Sequence, residues 1–351
     1  MSWTLTPARE FARHAGEWDR LHAAQHAASL LAVDFVAPLI ETFGRGDELL
    51  ACLREGGRVR AMAIVRPSRR GAWSTFQPAQ APVGLWLQDA SLDTAAAARS
   101  LLGALPGFPL LLALTQMDPQ LSPRPHDGPL VRTLDYIDTA RVTLAGSFDD
   151  YWNARGKNLR GNLKKQRARL EREGVITRMV VDRSPSAMAQ AVADYGRLET
   201  TGWKGGEGTA VSSENAQGRY YRAMLEGMAA RDAASVYRYY FGEQLVAMDL
   251  CVEDGDSIVV LKTAYDESVP SNLSPTLLMR EEATRTLFDG RFTRLEFYGR
   301  VMEWHTRWTE EVRTMYHVNY YRWPGLARLH ALLDARSAAP SRPAHPTTTS
   351  L

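Results

Sequence analysis

Three apolar runs at 235–241, 245–253 and 257–264, joined by Gly242-Glu243-Gln244 and Asp254-Gly255-Asp256, constrain this chain more than any other feature. Runs of seven to nine residues separated by three turn-forming residues are too short for helices and predict consecutive antiparallel strands, the Asp-Gly turn being a strong hairpin signal. Ser274-Pro275 follows, an N-cap residue with proline at the first helical position, and predicts a helix that runs to about Asp289 before Gly290 stops it. Strands are expected at 292–298 and 313–323, and helices at 149–174 and 185–200 open this half. The fold class that results is α/β, an α+β arrangement on a mixed sheet.

The first half runs in the same order with weaker signals. A helix is expected over 7–29, where Phe11, Trp18, Leu21 and Leu30 recur at helical spacing. Strands at 48–54, 58–66 and 71–76 are punctuated by Gly56-Gly57 and Pro67; a helix at 94–103, a strand at 109–115 and a Pro-rich loop at 118–129 follow. Two halves of one plan suggest tandem lobes, with 1–145 a degenerate copy and 146–336 the complete one. The tail 337–351, rich in Pro, Ser, Thr and Ala, is expected to be disordered.

Length and charge narrow the function. A chain of 351 residues, 45% hydrophobic, is large enough for two cores, and a net charge of +2 argues against a dedicated nucleic-acid binder or a disordered protein. Cys52 and Cys251 stand apart in sequence, outside redox or metal spacing, and read as buried hydrophobes of a cytoplasmic protein. No membrane span is expected, because the most apolar stretch, 101–117, is broken by Gly103, Pro106, Gly107 and Pro109. No metal is expected either: His22 and His26 stand one turn apart without a third ligand.

Charge is concentrated locally. Between Arg155 and Arg172 eight Lys or Arg face one acid, Glu171. Leu159, Leu163 and Leu170 share one helical face, and Arg160, Lys164 and Arg167 form a flanking stripe, a surface that would attract phosphates.

This basic stretch, Gly156 to Gly174, resembles the basic helix of the CelD-type (cellulose-biosynthesis-like) and Fem-type branches of the acetyltransferase (GNAT) superfamily. Leu198-Glu199 with Gly202-Trp203-Lys204-Gly205, Leu261-Lys262 with Ala264-Tyr265-Asp266, and Ser274-Pro275 follow in the order those branches show. The resemblance implies an N- or O-acyltransferase in which an acceptor amine or hydroxyl attacks the donor carbonyl directly. The glycine-rich pyrophosphate loop of acetyl-CoA-dependent members is absent, since 266–274 contains no glycine. Acyl-CoA is the expected donor even so; aminoacyl-tRNA, as in Fem-type transferases, is the alternative, and a non-catalytic anion-binding relative is a second alternative. The acceptor would be a small molecule, a sugar or a peptide.

Candidate residues follow from these positions. Donor contacts are expected from Asn272, Ser274 and Thr276 at the helix start and from Arg160, Lys164 and Arg167. Trp203 and Lys204, in a segment with four nearby glycines, would close over the substrate, with Glu296 and Tyr298 also contacting it. Proton transfer and charge stabilisation are expected among Glu199, Lys262, Tyr265, Asp266 and His305, with His305 nearest neutrality in its ordinary pKa. A buried structural histidine beside Trp304 and Trp308 is the competing reading for His305.

Overall fold

A computed structural model describes residues 2–25, 28–69, 71–201, 211, 212 and 214–338. Among these, thirteen strands form one sheet. The first half contributes β1 (Ser2–Pro7), β2 (Leu49–Glu55), β3 (Arg58–Arg69), β4 (Ala72–Thr75), β5 (Trp86–Gln88), β6 (Leu111–Met117) and β7 (Val131–Thr143). The second contributes β8 (Thr177–Asp182), β9 (Ala234–Phe241), β10 (Gln244–Glu253), β11 (Ser257–Tyr265), β12 (Arg294–Phe297) and β13 (Val312–Tyr321). Their order is β1-β2-β3-β4-β6-β13-β7-β12-β11-β10-β9-β8, with β5 alongside β3.

That order is a repeat. Antiparallel β1-β2-β3-β4 corresponds to β8-β9-β10-β11, and the parallel pair β4·β6 to the parallel pair β11·β12. The last strand of each half crosses over: β7 pairs with β12, β13 pairs with β6, and the two pair with each other antiparallel, Val312 opposite Ala140 and Tyr320 opposite Val131. The helices repeat too. Helices α1 (Ala15–Ala24) and α2 (Val33–Phe43) stand between β1 and β2, as α6 (Pro185–Thr201) and α7 (Ala216–Ala229) stand between β8 and β9. Helix α3 (Thr94–Ala104) stands between β4 and β6 as α8 (Pro275–Phe288) stands between β11 and β12. The expected α/β fold built from two copies of one plan is what the chain adopts.

Alternation along the strands divides the core into layers. Leu50 and Cys52 of β2 join α1, α2, α6 and α7 in a cluster that also holds Met248 and Leu250 of β10. Ala51 and Leu53, on the other face, pack with α3. On that same face the second half is covered by α8 and by two helices without a counterpart in the repeat, α4 (Phe148–Asn153) and α5 (Lys157–Arg172). Both cysteines are free and buried.

Several elements escape the periodicity. The helix expected at 7–29 is a 3-10 turn, Ala8–Arg13, followed by α1, and the helix at 149–174 is split into α4 and α5 at Gly156. Helix α2 carries Pro38 in its interior, a residue that normally marks a break. Strand β7 has no clean alternation because it lies mid-sheet with charged residues on both faces. Helix α7 contains Gly227, which lies close against α2: a Cβ there would come within 3.2 Å of the Asp34 side chain. Of the expected tail, Ser337 and Ala338 end the last helix, α10 (Pro324–Ala338), which follows α9 (Glu303–Thr306); 339–351 lie outside the described residues.

Candidate functional site

Strands β11 and β12 pair for only three residues, Ser257 to Val259 against Arg294 to Glu296, while the other edge of β11 stays paired with β10 out to Tyr265. Lys262 and Val260 stand opposite the consecutive residues Leu250 and Cys251, so Leu261 is an extra residue, a bulge that bends β11 away from β12. A cavity of about 230 Å³ opens in the splay, between Leu261, Lys262 and Thr263 on one side and Phe297 and Tyr298 on the other, with His305 at its wall. Backbone amides on an unpaired strand edge are the donors an oxyanion needs.

A larger cavity of about 670 Å³ adjoins the splay and shares Thr263 and Trp304 with it. Its walls are mostly apolar, with Leu273, Leu277 and Trp308, and its polar lining includes the predicted Tyr265, Asp266, Ser274 and Thr276. Asn272 is exposed and outside the lining. The start of α8 is not the phosphate cradle expected of it. Pro275 has no N–H, and the Ser274 amide donates to Gln166 Oε1 on α5 at 2.7 Å. The amides of Leu277 and Leu278 both donate to the Ser274 carbonyl, at 3.0 and 3.1 Å. Thr276 retains the one first-turn amide without a hydrogen bond among the described residues.

Beneath this cavity lies a buried ion pair. Arg280 Nη2 is 2.8 Å from Asp249 Oδ2, with the two side chains 5% and 1% exposed. Thr263 Oγ1 donates to Asp249 Oδ1 at 2.5 Å, tying α8, β10 and β11 together. Burial raises the Asp249 carboxyl above its ordinary range, against the lowering effect of Arg280 and Thr263.

The predicted proton-transfer residues are dispersed. Glu199 is buried on α6, accepting from the Val211 amide at 2.9 Å and from the Tyr195 hydroxyl at 3.1 Å; that hydroxyl is also 3.2 Å from the Thr263 carbonyl. Lys262 Nζ lies over the Tyr221 ring, 5.7 Å from its centre. His305 stacks on Trp304 at 3.6 Å, and its Nδ1 accepts the Met302 amide at 2.9 Å. Burial pushes its pKa down to about 4. The ring is therefore neutral near pH 7, with its proton on Nε2, which makes that nitrogen a hydrogen-bond donor rather than a base.

Glu296 and Tyr298 belong to a different cluster, between the halves. Arg313 of β13 donates to Glu296 Oε2 at 2.8 Å and to both Asp118 oxygens, and the Tyr298 hydroxyl donates to Asp118 Oδ2 at 2.8 Å. Burial raises the Glu296 carboxyl and, still more, the Tyr298 hydroxyl. A cavity of about 430 Å³ lies here, lined from the first half by Gln88, Gln116 and Asp118 and from the second by Ser257, Glu296 and Tyr298.

Helix α5 borders the fourth cavity, an open groove of about 770 Å³ lined by Trp152, Lys157, Arg160, Gly161, Lys164 and Arg167 among others. The predicted stripe is divided by the structure. Arg167 is committed to Glu281 (2.9 Å) and Glu282 (2.8 Å), locking α5 onto α8. Lys157 and Lys164 are exposed and have no ion-pair partner among the described residues, and Arg160 contacts only the Arg155 carbonyl and Asn153. Gly161 sits mid-helix with nothing within 4 Å of a built Cβ. Unlike Gly227 it has no packing reason, so Gly161→Ala should raise stability by about 0.5–1 kcal/mol, measured by urea denaturation.

Sequence reasoning missed Arg280, Asp249, Arg313, Asp118 and Gln166. A signal existed for Asp249, a carboxylate inside the apolar run Val246-Ala247-Met248-Asp249-Leu250, which obliges a buried partner. Trp203 and Lys204 lie outside the described residues, as does His26. Among the described residues no group of three His, Cys, Asp or Glu is placed to hold a metal, and no helix is long and apolar enough to cross a membrane.

Residues 157–306, which hold the splay and the start of α8, match the acetyltransferase (GNAT) domain family. Solved structures of similar fold extend over nearly the whole chain. The C-terminal domain of a protein assigned as a lysylphosphatidylglycerol synthetase from Agrobacterium fabrum covers 93% of this chain and 96% of its own at 14% identity and a TM-score of 0.55. L-PGS from Bacillus licheniformis covers 91% and 96% at 13% identity and 0.55. FemX covers 94% and 99% at 9% identity and 0.55. No curated protein matches the sequence.

Proposed function

We propose that this protein transfers an aminoacyl group from a polynucleotide carrier, aminoacyl-tRNA, to an amine or hydroxyl acceptor. The observation that supports this over acyl-CoA is the start of α8: the Ser274 amide is occupied by Gln166, Pro275 has none, and little remains to hold a pyrophosphate. Cationic side chains are available instead on α5, in a groove bordered by Trp152, which stacks on Trp308 of the adjoining cavity with ring centres 6.0 Å apart. A single-stranded 3′ end lying in that groove would carry its terminal ester past Trp308 toward the splay. Trp152 borders the path of the bases along the groove, and Gly161 allows close approach of a phosphate.

The chemistry is acyl transfer without a covalent enzyme intermediate. The acceptor nitrogen or oxygen bonds to the carbonyl carbon, the ester C–O bond breaks, the ribose hydroxyl leaves with a proton, and the acceptor loses one. Amides of the free β11 edge and Lys262 stabilise the oxyanion, and Tyr265 and Asp266, in the lining of the adjoining cavity, exchange the protons. His305 and Glu199 act as positioning residues. Glu296 and Tyr298 face the acceptor from the cavity between the halves. The division into lobes 1–145 and 146–336 and the kinship to the CelD-type branch are part of the same reading.

The test is the variant K157Q/R160Q/K164Q, which spares Arg167 and its two glutamates. Helix propensity is nearly unchanged by these substitutions, so the melting temperature should hold. Binding to an RNA acceptor-stem minihelix should weaken at least tenfold in low salt, and the slope of log K against log salt should become shallower by about 2. Gly161→Ala should weaken the same binding. Tight CoA binding with no RNA binding would return the donor to acyl-CoA, and an unchanged salt slope would make α5 a solvated face.

A further inference from the structure

We propose that Arg280 is an anion anchor at the floor of the 670 Å³ cavity, so that the aminoacyl group this protein transfers has a side chain with an apolar body and a carboxylate end. This rests on the aminoacyl transfer proposed above and places the transferred group in this cavity. Arg280 is 4% exposed, and its only polar contacts among the described residues are made by Nη2, to Asp249 at 2.8 Å and to Thr263 Oγ1 at 3.5 Å. A guanidinium carries five N–H donors, and those on Nε and Nη1 have no hydrogen-bond partner among the described residues although the side chain lines the cavity. Neither nitrogen is sealed in protein, so both are open to the cavity, and a bidentate carboxylate matches their spacing.

The surroundings define the rest of the ligand. Leu273, Leu277, Trp304 and Trp308 give the cavity apolar walls above the cation. The other charged side chains of the lining are less deeply set: Glu267 and Arg307 are exposed, and Asp266 is half-buried, accepting from Gln244 at 2.9 Å. Arg307 is already engaged by Glu303 at 3.0 Å. Arg280 is thus the one deeply buried cation of the described lining, and a chain entering from the splay or the mouth ends against it.

The probes are octanoate and its neutral isostere octanamide, titrated calorimetrically into the full chain. Octanoate should bind at least tenfold more tightly. In D249L/R280M, which removes both members of the buried pair and so leaves no orphaned charge, octanoate affinity should fall to that of octanamide, while octanamide is unchanged within twofold. R307Q should keep the preference. Equal binding of the two probes to the wild-type chain, survival of the preference in D249L/R280M, or its loss in R307Q would overturn the proposal. If the double variant fails to fold, ¹⁵N NMR of arginine-labelled wild-type protein decides: the Arg280 Nε resonance should shift with octanoate and not with octanamide, and no shift overturns the anchor. Minihelix binding measured on the same samples separates the two readings, because a carboxylate preference without RNA binding would sink the tRNA donor and leave the anchor standing.

Discussion

Arg313→Met should destabilise the fold by about 3–5 kcal/mol at neutral pH, measured by urea denaturation. The arginine is the shared partner of Asp118 and Glu296, whose side chains are 0% and 5% exposed. Removing it leaves two buried carboxylates facing each other, a cost that comes from desolvated charge rather than from lost packing. Protonation relieves it. Glu296 already has a raised pKa from burial, so the deficit of the variant should shrink as pH is lowered toward 5. D118N/E296Q/R313M, which removes every charge of the cluster, should recover most of the stability. A loss under about 1 kcal/mol in the single variant would show that water reaches the cluster and that it does not hold the halves together.

His305 gives the second large effect, through pH. Its folded-state pKa is about 4 against an ordinary 6.5, so the unfolded chain binds the proton first. Above pH 6.5 the residue contributes nothing to pH dependence. Between 6.5 and 4 the folded state loses stability as pH falls, to a total on the order of 3 kcal/mol. Asn at this position keeps an acceptor where Nδ1 meets the Met302 amide and does not titrate. His305→Asn should therefore flatten the urea-measured stability curve by close to one proton between pH 6.5 and 4. Parallel curves for the two proteins would mean that the ring is protonated in the fold.

How much of this was legible in the sequence depends on how local the cause is. The meander β9-β10-β11 and helix α8 follow from turn residues and a Ser-Pro start, and appear where expected. The crossover of β7 and β13 could not be read, because nothing in 131–143 says that its partners lie 172 (Ala140 to Val312) to 189 (Val131 to Tyr320) residues away. Helices α2 and α7 were hidden by Pro38, Gly218 and Gly227, residues that local propensity counts against helices and tertiary packing overrides. At the site, the start of α8 at Ser274 and the basic character of α5 were evident, and Ser274 and Thr276 line the 670 Å³ cavity. That Arg167 is consumed by Glu281 and Glu282, and that Gln166 caps Ser274, depends on two helices meeting at one angle. Composition holds no trace of that.

The exchange of the last strands has a consequence for synthesis on the ribosome. Strand β6 ends at Met117, and the strand that covers its free edge, β13, ends at Tyr321. At about 5–20 residues per second the first half emerges with an open sheet edge for roughly 10–40 s. During that interval the nascent chain displays unpaired amides and carbonyls to any other strand within reach, including the same segment on a neighbouring polysome-borne chain. Rare codons between β7 and β13 would lengthen that exposure, and recoding them is a route to higher soluble yield that leaves every amino acid unchanged.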